Sequence, residues 1–213
     1  IEYAHARGNG PGQMEKFVDK FYSCKHAMGG SVWEWADHGV LDKGVLKYGG
    51  DFGEEIHSKN GCADGIVFAD RSIKTGALNL KYAFQYIKAE LSGEVITITN
   101  RHSHTDLSEF KTTLMLEVDG DITEKAVIDV SAKPHETTTI EVPFKLSGKC
   151  TYGAHLVLTL EKDDEEKAMQ SFDLEGFVTE EIKKGNKLIL SDSDDDNIYI
   201  SGEGFSYTFS KHK

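Results

Sequence analysis

Apolar residues in the first part of the chain form a strand-like run and then take a helical spacing. The run over 1–6 ends in glycines, and Pro11 is well placed for the first turn of a helix. Large apolar side chains then recur three and four residues apart, which predicts an amphipathic helix over roughly 12–25. They are Met14, Phe17, Val18, Phe21 and Tyr22. The segment 31–35 has the composition of a buried strand, so strand, helix and strand predict a parallel βαβ unit.

The rest of the chain has the shorter rhythm of β-strands. Runs rich in branched residues occupy 87–98, 110–118, 126–130, 138–144, 156–160, 169–177 and 187–190. Two runs alternate cleanly between apolar and other residues. Their inward-facing side chains are Leu114, Leu116 and Val118, and Leu156, Leu158 and Leu160. Seven short strands joined by polar turns are typical of an immunoglobulin-like sandwich. A further hairpin is predicted from 198–200 and 205–209.

The amino-acid composition also differs between the first part of the chain and the strand-rich remainder. Residues 1–76 contain 13 of the 21 glycines and both tryptophans, and their formal charge is −2 against −10 for the remainder. A further apolar run at 65–69 and a helical stretch at 77–84 complete the glycine-rich part. We therefore expect three regions, 1–84, 85–187 and 188–213. The predicted fold class is an α/β barrel remnant, the last strands of a TIM barrel, followed by an all-β immunoglobulin-like sandwich.

Charge and cysteine content narrow the classes of function. The 213 residues carry 24 Lys and Arg against 36 Asp and Glu, a net charge of −12, which argues against nucleic acid and anionic membranes as partners. No run approaches the roughly 18–20 apolar residues of a membrane span, and no signal peptide is recognised. The three cysteines are far apart, which favours a reducing, cytoplasmic location. Because the first residue is Ile1 rather than Met, we expect this chain to be part of a longer protein.

The candidate chemistry lies at the end of the first strand. Glu2 is a carboxylate near the carboxyl end of an apolar run, His5 follows three residues later, and Asn9 lies in the glycine loop. In parallel barrels the carboxyl ends of the strands line the active site. Taken alone this pattern is weak, because a glutamate near a strand end is more often a solvated surface group.

The sequence around these residues carries a family resemblance. The segments are EYAHA at 2–6 with GNGPG at 8–12, GGSVWEW at 29–35, YGGDFG at 48–53 and DGIVFADR at 64–71. In this order and at this spacing they resemble the large β-galactosidases of glycoside hydrolase family 2. The resemblance implies the end of the catalytic barrel, the immunoglobulin-like sandwich that follows it, and the start of a large β domain.

The resemblance assigns roles to five positions. Glu2 matches the catalytic nucleophile of a retaining glycosidase, and His5 matches a histidine that contacts the galactosyl hydroxyls. Trp33 matches an aromatic wall beside the sugar, although packing in the barrel core explains it equally well without the resemblance. Asp64 matches a position, often Asn, that holds the sugar 6-hydroxyl and a sodium ion. Gly61 stands where a Phe commonly offers its backbone carbonyl to that ion.

The chain also departs from the family pattern. Arg7 stands where the family usually has Met, and Ile1 where it usually has Cys. Together, Arg7 and Gly61 replace two apolar groups near the pocket with a cation and with no side chain, which changes the expected shape of the aglycone side.

The resemblance has consequences for cofactors, partners and activity. It implies Mg²⁺ and Na⁺ in the intact enzyme, with the magnesium ligands and the acid/base glutamate upstream of the nucleophile motif and so outside this chain. We expect the intact protein to hydrolyse lactose-like β-D-galactosides and to form a homo-oligomer or to assemble with a complementing chain. We expect this chain alone to be inactive.

Two alternatives stay open. The chain could be a non-catalytic structural or interaction module, in which the sandwich braces other domains. It could also belong to a sibling glycosidase of the family, a β-glucuronidase or β-mannosidase, although the YAHA and GGDFG segments favour a galactosidase.

The remaining candidates are better explained structurally. One acidic segment has the residue spacing of a calcium-binding loop but lacks the glycine that such a loop requires, so we expect it to be an acidic turn. Its acidic residues are Asp192, Asp194, Asp196 and Glu203. His102 and His104 are expected in a solvated loop, the charge run 163–167 at a hairpin tip, and Cys24 in core packing.

Overall fold

The computed structural model describes residues 2–179, 185–191 and 194–212 of the 213-residue chain. Its helices are α1 (Met14–Ser23) and α2 (Thr75–Ala83), with 3₁₀ turns at Lys59–Cys62 and Leu107–Glu109. The strands of the first part are β1 (Glu2–His5), β2 (Ser31–Trp33), β3 (Val40–Asp42) and β4 (Val45–Lys47). Those that follow are β5 (Ile87–Ser92), β6 (Val95–Asn100), β7 (Lys111–Val118), β8 (Asp121–Ile128), β9 (Thr137–Glu141), β10 (Gly148–Cys150), β11 (Ala154–Lys162), β12 (Glu165–Asp173) and β13 (Phe177–Thr179). The last three are β14 (Ile189–Ser191), β15 (Asn197–Gly202) and β16 (Phe205–Ser210).

The first part of the chain contains the predicted parallel unit. β1 and β2 pair in parallel, with α1 between them in sequence. Met14 and Val18 of α1 pack with Leu80 and Ala83 of α2 in one buried cluster, because these apolar residues recur at helical spacing. The side chains of Tyr3, Ala4, Val32 and Ile66 lie against it. The parallel pairing is confirmed, and the described residues contain two strands of such a sheet rather than a closed barrel.

Several local predictions for this part need correction. The apolar run 65–69 forms only isolated bridges, from Val67 to Ala36 and to Ile73. Phe17 and Tyr22, predicted on the buried face of the first helix, are exposed. Phe17 instead packs on Tyr3 of β1, with ring centroids 5.1 Å apart. The β3–β4 hairpin was not predicted, because its apolar side chains point to solvent and show no alternation.

The middle of the chain forms two antiparallel sheets over one core. One sheet has the strand order β12-β11-β7-β8 and the other the order β5-β6-β9. Leu156 and Leu158 of β11 lie opposite Leu116 and Leu114 of β7. Both sheets contribute to one buried cluster, which also includes Ile96 and other branched residues. The predicted inward faces of the two leucine runs are confirmed, because alternate residues of a strand share a face.

Some of the predicted strand runs are split by turns that contain glycine or acidic residues. The run 87–98 is a hairpin, β5–β6, with Gly93 in the left-handed region at φ 59°. The run 169–177 likewise separates into parts of β12 and β13. Asp163 and Asp164, with φ 56° and 59°, form the turn between β11 and β12, which places the acidic residues at a hairpin tip as predicted.

The first part is tied to the sheets by polar contacts. Asp19 on α1 accepts hydrogen bonds from Arg101, at 2.7 Å, and from Lys88, at 3.1 Å. The Tyr82 hydroxyl of α2 bonds Gln170 of β12, and Gln85 accepts a hydrogen bond from the Met169 amide. These contacts fix α1 and α2, and through them β1 and β2, on the edge of the sheets.

The structure also shows where His102 and Cys24 lie. His102 is not in a solvated loop: its ring lies between Tyr86 and Phe110, each centroid 5.2 Å away. Burial, reinforced by Lys162 and opposed by Glu109, lowers the pKa of His102. Cys24 is half-buried just beyond the end of α1 rather than in the core, because the helix stops at Ser23.

The acidic segment near the end of the chain is only partly described. Asp192 lies outside the described residues. Asp194 accepts hydrogen bonds from the Tyr199 hydroxyl and from the amides of Asp196 and Asn197. The Tyr199 hydroxyl first, and then the two amides, lower the pKa of Asp194 against the opposing effect of burial. Its carboxylate therefore serves the turn before β15. In the described parts of the chain, neither helix has the length and apolarity that a membrane span requires.

Candidate active site

The candidate site is assembled where β1 and β2 end and the segment before Gly65 approaches them. The Ala6 amide donates to the Trp33 carbonyl, at 3.1 Å, and to the Asp64 carbonyl, at 3.3 Å. The Glu34 amide donates to the same Asp64 carbonyl at 3.0 Å. Three segments that are far apart in sequence are therefore joined by backbone hydrogen bonds at the carboxyl ends of parallel strands.

Gly65 allows this close approach. A Cβ atom at position 65 would lie 2.2 Å from the Asp37 amide nitrogen and from the Ala36 carbonyl carbon, a distance that no side chain tolerates. The Gly65 amide also donates to the Asp37 carboxylate at 2.8 Å. Position 65 of the DGIVFADR segment must therefore be glycine for a steric reason: the backbone of residues 64–65 lies directly against the segment after β2.

Glu2 and His5 form the first half of the site. His5 Nε2 lies 3.0 Å from Glu2 Oε2, and both side chains are about half exposed, at 47% and 46%. Glu2 is the first residue of β1 and His5 the last, so the structure places His5 rather than Glu2 at the carboxyl end of this short strand. Because it is half exposed, the Glu2 carboxylate is accessible to a small molecule while one of its oxygens is oriented by the imidazole.

Asp64 forms the second half. Its side chain is only 6% exposed, and Oδ2 lies 3.7 Å from His5 Nδ1. The other carboxylate oxygen, Oδ1, is buried without a hydrogen-bond partner. A buried carboxylate oxygen without a donor is costly, so this atom is positioned for a donor that a ligand would supply. The structure thus brings together Glu2, His5 and Asp64, three of the positions to which the resemblance assigned roles.

Trp33 borders the same strand end. It pairs with His5 in the parallel register of β1 and β2, and its side chain is 41% exposed. The alternative prediction of a barrel-core tryptophan does not hold for the described residues, because both buried clusters exclude it. Its accessible ring can serve as a flat apolar surface next to the Glu2 and His5 side chains.

Gly61 and Arg7 meet on the other side of Asp64. Arg7 Nη2 donates a hydrogen bond to the Gly61 carbonyl at 3.2 Å. The carbonyl that the resemblance assigned to a sodium ion is thus already bound by a cationic side chain of this chain. Within the described residues, no three His, Cys, Asp or Glu side chains come together as a metal cluster.

The GGDFG segment is a loop shaped by its own carboxylates. Asp51 accepts from the Tyr48 amide at 2.9 Å, and Glu54 accepts from the amides of Gly50 and Phe52. These backbone hydrogen bonds, Gly50 first, lower the pKa of Glu54 against a smaller effect of burial. Asp51 and Glu54 are therefore committed to the loop rather than directed to Glu2.

One supporting pair could not be found by sequence reasoning. Lys74 and Asp37, both largely buried, form an ion pair at 2.6 Å, and the same Asp37 oxygen holds the Gly65 amide. This contact joins the start of α2 to the segment behind the site. The two residues are 37 positions apart and neither occupies a recognisable local pattern, so only the folded arrangement reveals them.

Comparison with known proteins places this geometry in a family. A model described as glycosyl hydrolases family 2, TIM barrel domain, matches residues 1–89. A second, described as β-galactosidase, domain 4, matches residues 96–171. Residues 1–89 therefore belong to the barrel domain of glycosyl hydrolase family 2. The barrel-domain match contains every predicted site residue, and the second match covers most strands of the two antiparallel sheets.

Individual β-galactosidases are similar over much of the chain. A β-galactosidase of Actinobacillus pleuropneumoniae is 38% identical over 143 residues, 66% of this chain and 14% of the relative. One from Kluyveromyces lactis is 35% identical over 150 residues, 65% of this chain and 14% of the relative. One from Clostridium acetobutylicum is 28% identical over 232 residues, all of this chain and 25% of the relative. The chain thus spans a quarter or less of the length of these relatives.

Proposed function

We propose that the intact protein is a retaining β-galactosidase that hydrolyses terminal β-D-galactosyl bonds of lactose-like substrates, with Glu2 as its nucleophile. The single observation that carries the proposal is the Glu2–His5–Asp64 arrangement at a parallel strand end within the barrel-domain match. The similar proteins bear the name β-galactosidase, which supports this substrate class over glucuronides or mannosides.

The chemistry assigned to Glu2 follows from its exposure. In retaining hydrolysis a carboxylate attacks the anomeric carbon, the glycosidic oxygen leaves with a proton from a second carboxyl group, and water then releases the covalent glycosyl-enzyme. Glu2 is half exposed and can reach a bound sugar, whereas the other oxygen-rich loop, around Asp51, is held by backbone amides. His5 holds one Glu2 oxygen, which leaves the other free for attack.

The binding roles are part of the same proposal. His5 and the buried Asp64 would accept or donate hydrogen bonds to sugar hydroxyls, and the unpartnered Asp64 Oδ1 supplies an acceptor for one of them. The exposed face of Trp33 would lie along the apolar side of the ring. These three residues would orient the sugar over Glu2 and exclude water from its far side.

The proposal is tested by chemical rescue in the intact enzyme. Replacing the nucleophile by Glu2→Ala removes the attacking carboxylate, so turnover of an activated aryl β-galactoside should fall by several orders of magnitude. Added azide should occupy the vacated space, attack the anomeric carbon and restore aglycone release, with α-galactosyl azide as the product. A matched control, Glu55→Ala at an exposed glutamate of the same region, should retain turnover and form no azide adduct. Formation of β-galactosyl azide, or unimpaired turnover by Glu2→Ala, contradicts the assignment.

The proposal also includes the domain organisation of the chain, in which the region after the barrel match supports the catalytic barrel. We propose that 85–187 is an immunoglobulin-like sandwich, that 1–84 is the end of the catalytic barrel and that 188–213 begins a further β domain. The four-stranded and three-stranded antiparallel sheets over one core support the sandwich, and the separate sheet β14-β15-β16 supports a further domain.

Cofactors, partners and location complete the proposal. We propose that the intact enzyme uses Mg²⁺ held by residues outside this chain. The proposed substrate is a small β-galactoside, and the proposed assembly is a homo-oligomer or a complex with a complementing chain. The net charge of −12 supports the absence of nucleic-acid and membrane partners, and three free cysteines support a cytoplasmic location.

A further inference from the structure

The family resemblance assigns two oxygen ligands to a sodium ion, one from Asp64 and one from Gly61. In this chain the first has no hydrogen-bond partner and the second is already hydrogen-bonded. Asp64 Oδ1 is buried and without a partner, as a cation ligand or a hydroxyl acceptor would be. The Gly61 carbonyl oxygen is bound instead by Arg7 Nη2, at 3.2 Å. One of the two candidate ligands is thus already committed to a cation that belongs to the protein.

Gly61 shapes the turn whose carbonyl binds Arg7. A Cβ atom at position 61 would lie 2.9 Å from Ser58 Cβ, which is shorter than real side chains show, and at an ordinary contact distance of 3.4 Å from Arg7 Nη2. A larger residue at 61 would therefore displace this turn, and with it the carbonyl that accepts from the guanidinium. The two departures from the family pattern are thus in direct contact, and the glycine preserves the turn to which the arginine binds.

The positive charge of the Arg7 guanidinium is not balanced by a neighbouring carboxylate in the described part of the chain. Arginine stays protonated at all physiological pH values. Among the described residues no carboxylate lies within ion-pair distance of Arg7, whereas Lys47 and Lys74 each have an aspartate partner. A sodium ion on the Gly61 carbonyl would meet this uncompensated positive charge, and the two cations would repel each other. Hard cations also need several oxygen ligands, and here one of the two is occupied.

We propose that the Arg7 guanidinium takes the place of the bound sodium ion, so that the intact enzyme binds its sugar without Na⁺. The residues present do not fit the ion, and no step is assigned to it. The guanidinium supplies a fixed positive charge at the Gly61 carbonyl, and Asp64 Oδ1 stays available for a sugar hydroxyl. The inference rests on the proposed function, because the ion is relevant only to a galactoside pocket.

The experiment compares the intact enzyme in NaCl with the same enzyme in choline chloride at equal ionic strength. The substrate is a nitrophenyl β-galactoside, and the variants are Arg7→Met, Arg7→Lys and the matched control Arg71→Met. Arg71 also donates to a backbone carbonyl, that of Ala69 at 2.8 Å, but outside the candidate site. Sodium-23 relaxation of the same proteins gives a binding readout that does not depend on turnover.

The expected result is a sodium dependence created by one substitution. The unmodified enzyme, Arg7→Lys and Arg71→Met should show the same KM in both salts within twofold, and no saturable sodium-23 relaxation. Arg7→Met frees the Gly61 carbonyl, so its KM should be at least fivefold higher in choline than in sodium, with saturable relaxation. The inference is overturned if sodium lowers the KM of the unmodified enzyme, or if folded Arg7→Met responds equally to both salts.

The experiment distinguishes a failure of the proposed function from a failure of the sodium inference. No turnover of any galactoside by the unmodified enzyme in either salt would refute that function. Saturable sodium-23 relaxation by the unmodified enzyme would then overturn the sodium inference on its own. Its absence there, together with its appearance in Arg7→Met, would support the inference independently of activity.

Discussion

His5 lies between two carboxylates that differ in exposure. Glu2 on its Nε2 side is open to solvent, and Asp64 on its Nδ1 side is buried. An imidazole in this position has both ring nitrogens directed to acidic oxygens, so its orientation is restricted from two sides. Motif resemblance predicted all three residues, but the contact between His5 and Asp64 joins positions 59 apart and required the fold.

The role of His5 leads to a prediction about catalysis. In the intact enzyme, His5→Phe removes the hydrogen bond to Glu2 and the contact proposed with the sugar. Hydrogen bonds to charged groups contribute about 1.5–3 kcal/mol, so kcat/KM for a β-galactoside should fall roughly 10–100-fold. Steady-state kinetics measure this, with the exposed His26→Phe as a control that should stay near the unmodified value. Equal kinetics for the two variants would remove His5 from the site.

Asp19 gives a prediction about pH. Burial raises its pKa, but the hydrogen bonds from Arg101 and Lys88 outweigh this and hold the pKa below its usual 3.8. A depressed pKa in the folded state stabilises the fold above the unfolded pKa and loses that effect as pH falls through the folded value. Because Asp19 is 45% exposed, screening limits the contribution to about 0.5–1 kcal/mol.

The test is urea unfolding of the 213-residue chain and its Asp19→Asn variant. At pH 7 the variant should have the lower free energy of unfolding, and the difference should shrink as pH falls below about 4. The control is Asp121→Asn, at an exposed strand residue without a described ion pair. A difference that grew on acidification would contradict the sign of the Asp19 shift.

At the scale of elements, the predictable parts are those with one buried face. The leucines of β7 and β11 alternate because their strands face the shared core, so period two was visible in the sequence. The β3–β4 hairpin exposes its apolar residues, and alternation gave no signal there. In the structure Lys43 and Gly44 have φ 51° and 82°, the pair of left-handed residues that a two-residue hairpin requires, but Lys-Gly is not a dipeptide that predicts such a turn.

The shared core predicts the effect of truncating its centre. Leu158 is fully buried on β11 opposite Leu114, so Leu158→Ala leaves a cavity between the two sheets. Such substitutions lower the free energy of unfolding by about 2–5 kcal/mol. Urea unfolding of the 213-residue chain measures this, with Val127→Ala on the solvent side of β8 as a control that should stay within about 0.5 kcal/mol. A loss below 1 kcal/mol for Leu158→Ala would contradict the proposed two-sheet core.

At the scale of the whole molecule, the site is incomplete within this chain. The barrel-domain match covers residues 1–89, whereas a (β/α)₈ barrel takes about 250 residues. Retaining hydrolysis also needs a second carboxyl group about 5–5.5 Å from the nucleophile. The structure brings Asp64 to the Glu2–His5 pair, but this carboxylate is buried and is assigned to binding.

We therefore predict that the purified 213-residue chain does not hydrolyse a nitrophenyl β-galactoside. Adding the upstream barrel segments of the parent should supply the missing carboxyl group and restore turnover, and the same mixture with Glu2→Gln should stay inactive. Turnover by the chain alone, above that of its Glu2→Gln variant, would mean that a second carboxylate of this chain acts as the acid.

The most direct test of the account is to identify the residue that becomes covalently bound to the sugar. The intact enzyme is treated with an activated 2-deoxy-2-fluoro-β-galactoside, whose glycosyl-enzyme intermediate is slow to hydrolyse, and its peptides are mapped by mass spectrometry. The account predicts inactivation and one fluorosugar on the peptide that contains Glu2, at the Glu2 carboxylate. A label on any other carboxylate, such as Glu34 or Asp64, would contradict it.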